Sequence, residues 1–272
     1  MIIQNIRSDH ARTECPVQSY YTMHTHNGYE LLYLLHGDAD YAVEGNIYRL
    51  RKGDIMLMRR LESHYLILRS TACYERLIVN FDLADTEICN NIFCQALSAM
   101  LLHQPLGKYN HFASSLFPDN HWQYYMDRIC SYSDPDRQMI YLLPLLNELS
   151  EEYEKVKNSP DHTIPNKSSA IVSYINQHLF EELSLDRICE RFFLSKSQLN
   201  RIFRKVTGTT VWNYVLVKRL FHAREMMQNG ENPTSIYEKC GFQDYVTFYK
   251  AYQKHFGHTP KADYRKAPFL TK

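Results

Sequence analysis

Nothing in the 272 residues approaches the run of ~20 apolar side chains that a membrane-spanning helix needs, so no membrane partner is expected. The first residues, MIIQNIRSDHARTECP, lack a basic stretch followed by an apolar run. No export signal is expected, and the expected location is cytoplasmic. Seven cysteines are present without paired spacing, which suits reduced thiols rather than a disulfide framework. Most, such as Cys130 and Cys189, read as small core residues. No nucleophile–base pair and no phosphate-binding glycine loop appears, so no catalytic residues are expected from those patterns.

Strong net charge is also missing: the total is +1. That balance conceals an asymmetry. Residues 168–272 carry 16 Lys+Arg against 9 Asp+Glu, a net +7, and the preceding residues carry −6. A basic C-terminal part beside an acidic N-terminal part suits a nucleic-acid binder with a separate sensing module.

The length suits two domains. In residues 1–84, short aromatic and aliphatic runs at 29–35, 39–44, 46–50 and 54–58 are cut by turns at Gly37, Gly45 and Gly53, with a further strand at 73–81. Short, evenly spaced strands predict a small antiparallel barrel or sandwich. In residues 85–157 the period changes to that of amphipathic helices. One spans 87–103 with Ile88, Ile92, Leu97 and Leu101 inward. Another spans 136–157 with Ile140, Leu143, Leu146, Leu149 and Tyr153 inward, either covering the barrel or pairing with its copy in a homodimer. Residues 158–167, with two prolines and no periodicity, read as a linker. Residues 168–272 are helical by pattern, with Ser184 and Ser195 as N-caps and Gly208, Gly230 and Gly257 after helix ends.

The C-terminal region repeats itself at an offset of 49 residues. Leu199, Arg201, Phe203, Lys205, Gly208 and Thr210 match Phe248, Lys250, Tyr252, Lys254, Gly257 and Thr259. A short helix and a tight turn precede each copy, which is the helix-turn-helix plan. In the first copy Leu199, Ile202, Phe203 and Val206 share the inward face. Ser197, Asn200, Arg201 and Arg204 lie opposite, where arginine can read guanine and asparagine adenine in the major groove. Lys196 and Lys205 suit phosphates. In the second copy Tyr245, Val246 and Lys250 are expected to face bases, and Thr247 and Lys254 phosphates, behind an inward face of Phe248, Tyr252 and Phe256. A plain helical bundle with a basic surface would not require repeat, turns and outward charge to agree.

Residues 168–265 resemble the DNA-binding domain of the AraC/XylS family of transcription regulators. The resemblance rests on Ser195–Arg204 with Gly208, on Arg219 and Ala223, and on Gly241-Phe242, Phe248, Gly257-His258-Thr259-Pro260 and Tyr264-Arg265. Tyr237 and Cys189 stand where the family prefers alanine, and Phe193 at a turn often held by glycine. The resemblance implies that one long helix, 210–228, joins the two units, so that both recognition helices enter successive major grooves about 34 Å apart. It also makes RNA polymerase a further partner beside double-stranded DNA.

His24, His26, Glu30, Gly37, Gly53 and His64 resemble a cupin barrel, whose enzymes hold a metal with three histidines and a glutamate. Alternation aims Glu30 with Leu32 and Leu34 into the barrel. The later half departs from the pattern, with Arg59 for proline, Leu61 for glycine and Leu68 for a polar residue. The expectation is therefore a small-molecule effector pocket, sugar-like or other metabolite, lined by His24, His26, Glu30, Tyr41 and His64, with no cofactor and no metal. A metal at His24, His26, Glu30 and His64, and with it a metal-dependent cupin enzyme carrying a DNA-binding domain, is the alternative. A third reading makes the barrel a dimerisation device only. The fold class expected is α+β in two domains: a cupin-like β-barrel with flanking helices, then an all-α double helix-turn-helix.

Overall fold

The computed structural model describes residues 2–84, 92–116, 119, 121–157 and 167–265. The chain divides into two compact domains, one built from residues 1–24 and 28–166, the other centred on 167–272. The expected helix from Glu87 therefore starts outside the described residues, Ile88 included, and is seen as α1 (Ile92–Leu102). Residues 158–166 of the expected linker also lie outside, and Lys167 already begins a helix.

The N-terminal domain holds β1 (Ile2–Thr13), β2 (Tyr29–His36), β3 (Ala39–Val43), β4 (Asn46–Arg49), β5 (Ile55–Met58), β6 (His64–Leu68), β7 (Tyr74–Ala84) and β8 (His111–Phe112). They form a five-stranded sheet in the order β1-β7-β2-β5-β8 and a three-stranded sheet, β4-β3-β6. Strand alternation divides the work of β2. Leu31 and Tyr33 face a helical layer of α1, α2 (His121–Cys130) and α3 (Pro135–Lys157). Leu32 and Leu34 face the second sheet and pack with Tyr41, Leu66 and Tyr74. Glu30 shares the parity of Leu32, so the strand carries one carboxylate into the space between the sheets.

Sequence patterning overlooked β1, an edge strand rich in polar residues. A register shift between Gln4 and Arg7, with Asn5 at φ 53°, breaks its alternation, and Ile3 and Ile6 anchor it in the core. The stripe on α3 is also corrected. Leu142, Leu145, Leu146, Leu149 and Tyr153 are buried, while Ile140 and Leu143 are exposed. Residues 139–146, MIYLLPLL, are apolar on every side, so spacing alone allowed more than one inward face. Cys130 and Cys189 are only half-buried; among the cysteines whose burial is described, Cys240 is the buried one.

The departures at Arg59 and Leu61 have a local reason. Arg59 and Glu62 form a buried ion pair at 2.7 Å. Glu62 also accepts hydrogen bonds from the Gly107 N–H (2.8 Å) and the Asn110 amide (2.6 Å). The pair shapes the turn that delivers His64 to β6, and Leu61 sits there at φ 64° in the left-handed region.

The second domain contains α4 (Lys167–Gln177), α5 (Leu185–Phe192), α6 (Lys196–Thr207), α7 (Val211–Gln228), α8 (Pro233–Lys239), α9 (Tyr245–Phe256) and α10 (Pro260–Tyr264). Ser184 caps α5, and Ser195 with Gln198 forms a capping box on α6. Gly208 and Gly257 close α6 and α9 in the left-handed conformation. Along α7, Arg219 donates to the carbonyls of Leu179 (2.7 Å), Glu181 (2.9 Å) and Gly241 (2.6 Å). The first two belong to the segment leading into α5 and the third to the turn after α8, so one guanidinium ties both helix-turn-helix units to the connecting helix.

At the C-terminal end the buried Asp263 accepts from the Tyr252 hydroxyl (2.5 Å) and from His258 Nε2 (2.7 Å), and pairs with Arg224 at 3.2 Å. Burial alone pushes its carboxyl up, but those hydrogen bonds and the Arg224 charge outweigh it and hold the group below the ordinary aspartate value. A carboxyl depressed on folding stabilises above its unfolded pKa, and that contribution disappears as pH falls through the folded one. Replacing Asp263 with Asn is expected to cost about 3 kcal/mol near neutral pH. In urea unfolding of the full chain, the difference from wild type should shrink steadily below about pH 4. A difference that stays constant into acid contradicts the ionised assignment.

Candidate nucleic-acid interface and ligand pocket

The two recognition helices bury one face and expose the other. In α6, Leu199 and Phe203 are fully buried and Val206 nearly so, with Ile202 half-buried. Ser197, Arg201, Arg204 and Lys205 are exposed and Asn200 is half-exposed beside them. Lys196 is exposed but pairs with Asp186 at 2.8 Å, and that hydrogen bond raises its pKa above the ordinary lysine value. In α9, Phe248 and Tyr252 are fully buried, Phe256 is half-buried, and Val246, Lys250 and Lys254 are exposed.

Two expected contact residues of α9 also make contacts within the domain. Tyr245 is half-buried, its ring 6.0 Å from that of Tyr237 and 5.9 Å from that of Phe248. The bulky Tyr237, at a position where alanine was the expected residue, supplies that packing surface. Thr247 donates both its N–H (2.8 Å) and its hydroxyl (2.7 Å) to Asp244, the helix cap. Its side chain remains exposed while its hydroxyl donates to the cap.

The turns of the two units share one construction. Leu194 N–H returns to the Cys189 carbonyl and Phe242 N–H to the Tyr237 carbonyl, each across five residues, as in a Schellman ending. The left-handed residue is Gly241 (φ 78°) in the second unit and Phe193 (φ 52°) in the first. Glycine is needed at 241 because an added Cβ would lie 2.7 Å from Arg219 Cζ. Phe193 meets no such neighbour, being 91% exposed, and the backbone tolerates it at some cost in strain.

In the N-terminal domain a cavity of about 280 Å³ lies between the sheets. Of the expected residues it includes His24, Glu30 and Tyr41; His26 and His64 are not among its lining. Tyr20, Tyr21, Thr22, Leu66, Tyr74, Arg76 and Ile78 complete it along with Leu32. Burial, reinforced by Glu30, pushes the Tyr41 hydroxyl well above its usual pKa, and burial does the same to Tyr74. Both phenols therefore stay protonated and able to donate. Arg76 and Tyr74 were missed from sequence. Their signal is parity: Tyr74, Arg76 and Ile78 alternate along β7, and Arg76 pairs in register with Leu34, an inward residue.

Three of the four expected metal donors come together. Donor atoms of His24, Glu30 and His64 lie within 4.8 Å of one another, and His26 is not part of the group. Nδ1 of His24 bonds the Thr22 carbonyl (3.1 Å) and Nδ1 of His64 that of Glu62 (2.8 Å), which leaves Nε2 of each ring as the basic nitrogen. Three protein donors, two histidines and a glutamate, is the number an open zinc site takes, but ligands around a tetrahedral zinc at about 2.1 Å sit about 3.4 Å apart, and this group spreads up to 4.8 Å. The two rings pack edge to face at 4.2 Å, and Tyr41 lies over His64.

A polar pocket in a β-rich domain, joined to paired helix-turn-helix units with basic outer faces, defines a ligand-sensing, DNA-binding regulator. Residues 11–101 match the family described as an AraC-like ligand binding domain, and residues 188–267 match a helix-turn-helix domain. The chain belongs to the AraC family of transcription regulators. It is 24% identical over 267 residues to the HTH-type transcriptional activator RhaR of Shigella dysenteriae serotype 1, covering 92% of this chain and 89% of that one. It is 22% identical to the HTH-type transcriptional activator RhaS of Escherichia coli O81, covering 90% and 87%. Among solved structures, ToxT from Vibrio cholerae aligns with a TM-score of 0.41 at 12% identity, over 97% of this chain and 100% of that chain. Among the described residues no helix is long and apolar enough to cross a membrane.

The exposed faces predict distinct mutant behaviours. Arg201→Ala should weaken binding to a selected site by about 1–3 kcal/mol and relax preference at one base position. Lys205→Ala should weaken all duplexes alike and lower the slope of affinity against salt by about one charge. Fluorescence anisotropy across a series of salt concentrations separates the two. Unchanged affinity and preference in Arg201→Ala would contradict the placement of α6 in the groove.

Proposed function

We propose that this protein is an effector-controlled transcription activator whose α6 and α9 read adjacent major grooves, while the N-terminal cavity binds a small metabolite. The observation that carries the reading is the pair of exposed basic helix faces, Arg201 with Arg204 and Lys250 with Lys254, on two units tied to one connecting helix. The relatives named activators favour activation, with RNA polymerase as the further partner and the cytoplasm as the place of action. The exposed Ile140 and Leu143 on the outward side of α3 favour a homodimer. The wide three-donor group favours a pocket that works without a resident metal and without catalysis. Sedimentation equilibrium and metal analysis of the purified protein test the last two points: a monomer, or a stoichiometric ion, contradicts them.

The deciding experiment is selection of random duplex DNA on the full chain. Two enriched blocks about 10 base pairs apart, centre to centre, are expected. One block alone, or no enrichment at low salt, overturns the two-groove reading.

A further inference from the structure

The cavity between the sheets has two chemically different ends. Glu30 and His24 mark one, and Arg76 and Tyr74 the other. In the β2–β7 register Glu30 pairs with Asn80 and Leu34 with Arg76. Four positions therefore separate the two ends, about 13 Å along the strands before the side chains reach inward. Leu32 and Ile78, paired in register, form an apolar floor between them.

The Arg76 end is unusual for a domain interior. The Arg76 side chain makes no hydrogen bond or ion pair among the described residues, and its Nη1 is buried. Its guanidinium is instead held by rings: Cζ lies 4.8 Å from the Tyr74 centroid and 5.7 Å from that of Tyr21. Tyr74 is 1% exposed, and its hydroxyl, also buried, has no hydrogen-bond partner among the described residues. Structural arginines inside proteins are paired with carboxylates or carbonyls, as Arg59 is in this same domain. Here two tyrosine rings orient a planar fork of donors toward a cavity and a phenol adds another, a site built for a planar acceptor.

We infer that the effector is a small hydroxylated monocarboxylate, the size of a sugar acid, whose carboxylate is held by Arg76 and Tyr74 and whose hydroxyls are held by Glu30 and His24. The C–H face of such a ligand rests on Leu32 and Ile78. A neutral sugar of the same size would leave the buried Nη1 of this half-buried arginine without an acceptor, a loss felt as discrimination against it. This inference rests on the proposed ligand-binding role of the cavity and adds the charge and class of the ligand.

The test is calorimetric titration of the full chain with D-galacturonate and D-gluconate, and with neutral D-galactose and D-glucose. At least one acid should bind saturably and at least about tenfold more tightly than its neutral counterpart. Arg76→Met should abolish that preference, with thermal unfolding checking that the variant is folded. Tyr74→Phe, which removes only an oxygen, should weaken the acid several-fold and leave the neutral sugar unaffected. Glu30→Gln should weaken acid and sugar alike. Equal affinity for acid and neutral sugar, absence of saturable binding by either acid, or full acid affinity in a folded Arg76→Met each overturns the inference. Titrating the same preparation with the selected DNA keeps the two readings apart. Intact DNA binding with no acid response removes only the effector class, whereas loss of specific DNA binding removes the regulator reading itself.

Discussion

One side chain holds the DNA-binding half of this protein in register. Arg219 reaches from the middle of α7 to three backbone carbonyls, two before the first helix-turn-helix and one in the turn of the second. Backbone carbonyls at chain turns must be paired when buried, and a guanidinium offers the planar fork that meets several at once. Burial lowers its pKa, yet the group keeps its charge and the bonds keep their charge-assisted strength. Gly241 completes the arrangement, because any side chain there would collide with the guanidinium. That contact adds to the apolar packing of α7 in fixing how the two units sit on the connecting helix.

Much of this domain was legible before any coordinates. The 49-residue repeat, the caps at Ser184 and Ser195 and the closing glycines are local features, set by helix geometry and readable one turn at a time. Contacts between elements were not. Tyr245 reads as an outward residue by spacing, yet it is half-buried with its ring beside that of Tyr237, and the Thr247 hydroxyl donates to its own helix cap. The clamp of Arg219 joins residues about 20 and 40 positions away, a pairing no periodicity records.

The N-terminal domain was less legible for related reasons. Its strands are short, its edge strand β1 is polar and bulged, and α3 is apolar all round near Pro144. The histidine and glutamate pattern drew attention to one end of the cavity. The other end comes from β7, where the inward parity of Tyr74 and Arg76 is set by pairing with β2. A cavity assembled from two strands about forty residues apart shows itself in register rather than in a motif. An effector in that cavity alters DNA binding only by favouring one of two states of the protein, so its chemistry and its regulatory effect are separable quantities.

If Arg219 sets the spacing of the two recognition helices, affinity for duplexes carrying the two selected blocks at a series of separations, compared between wild type and a folded Arg219→Met, tests it most directly. Wild type should show one preferred separation, losing about tenfold or more when the blocks move by a few base pairs, and Arg219→Met should bind with a flattened dependence. A variant that keeps the same sharp preference would show that the spacing is set elsewhere in the domain.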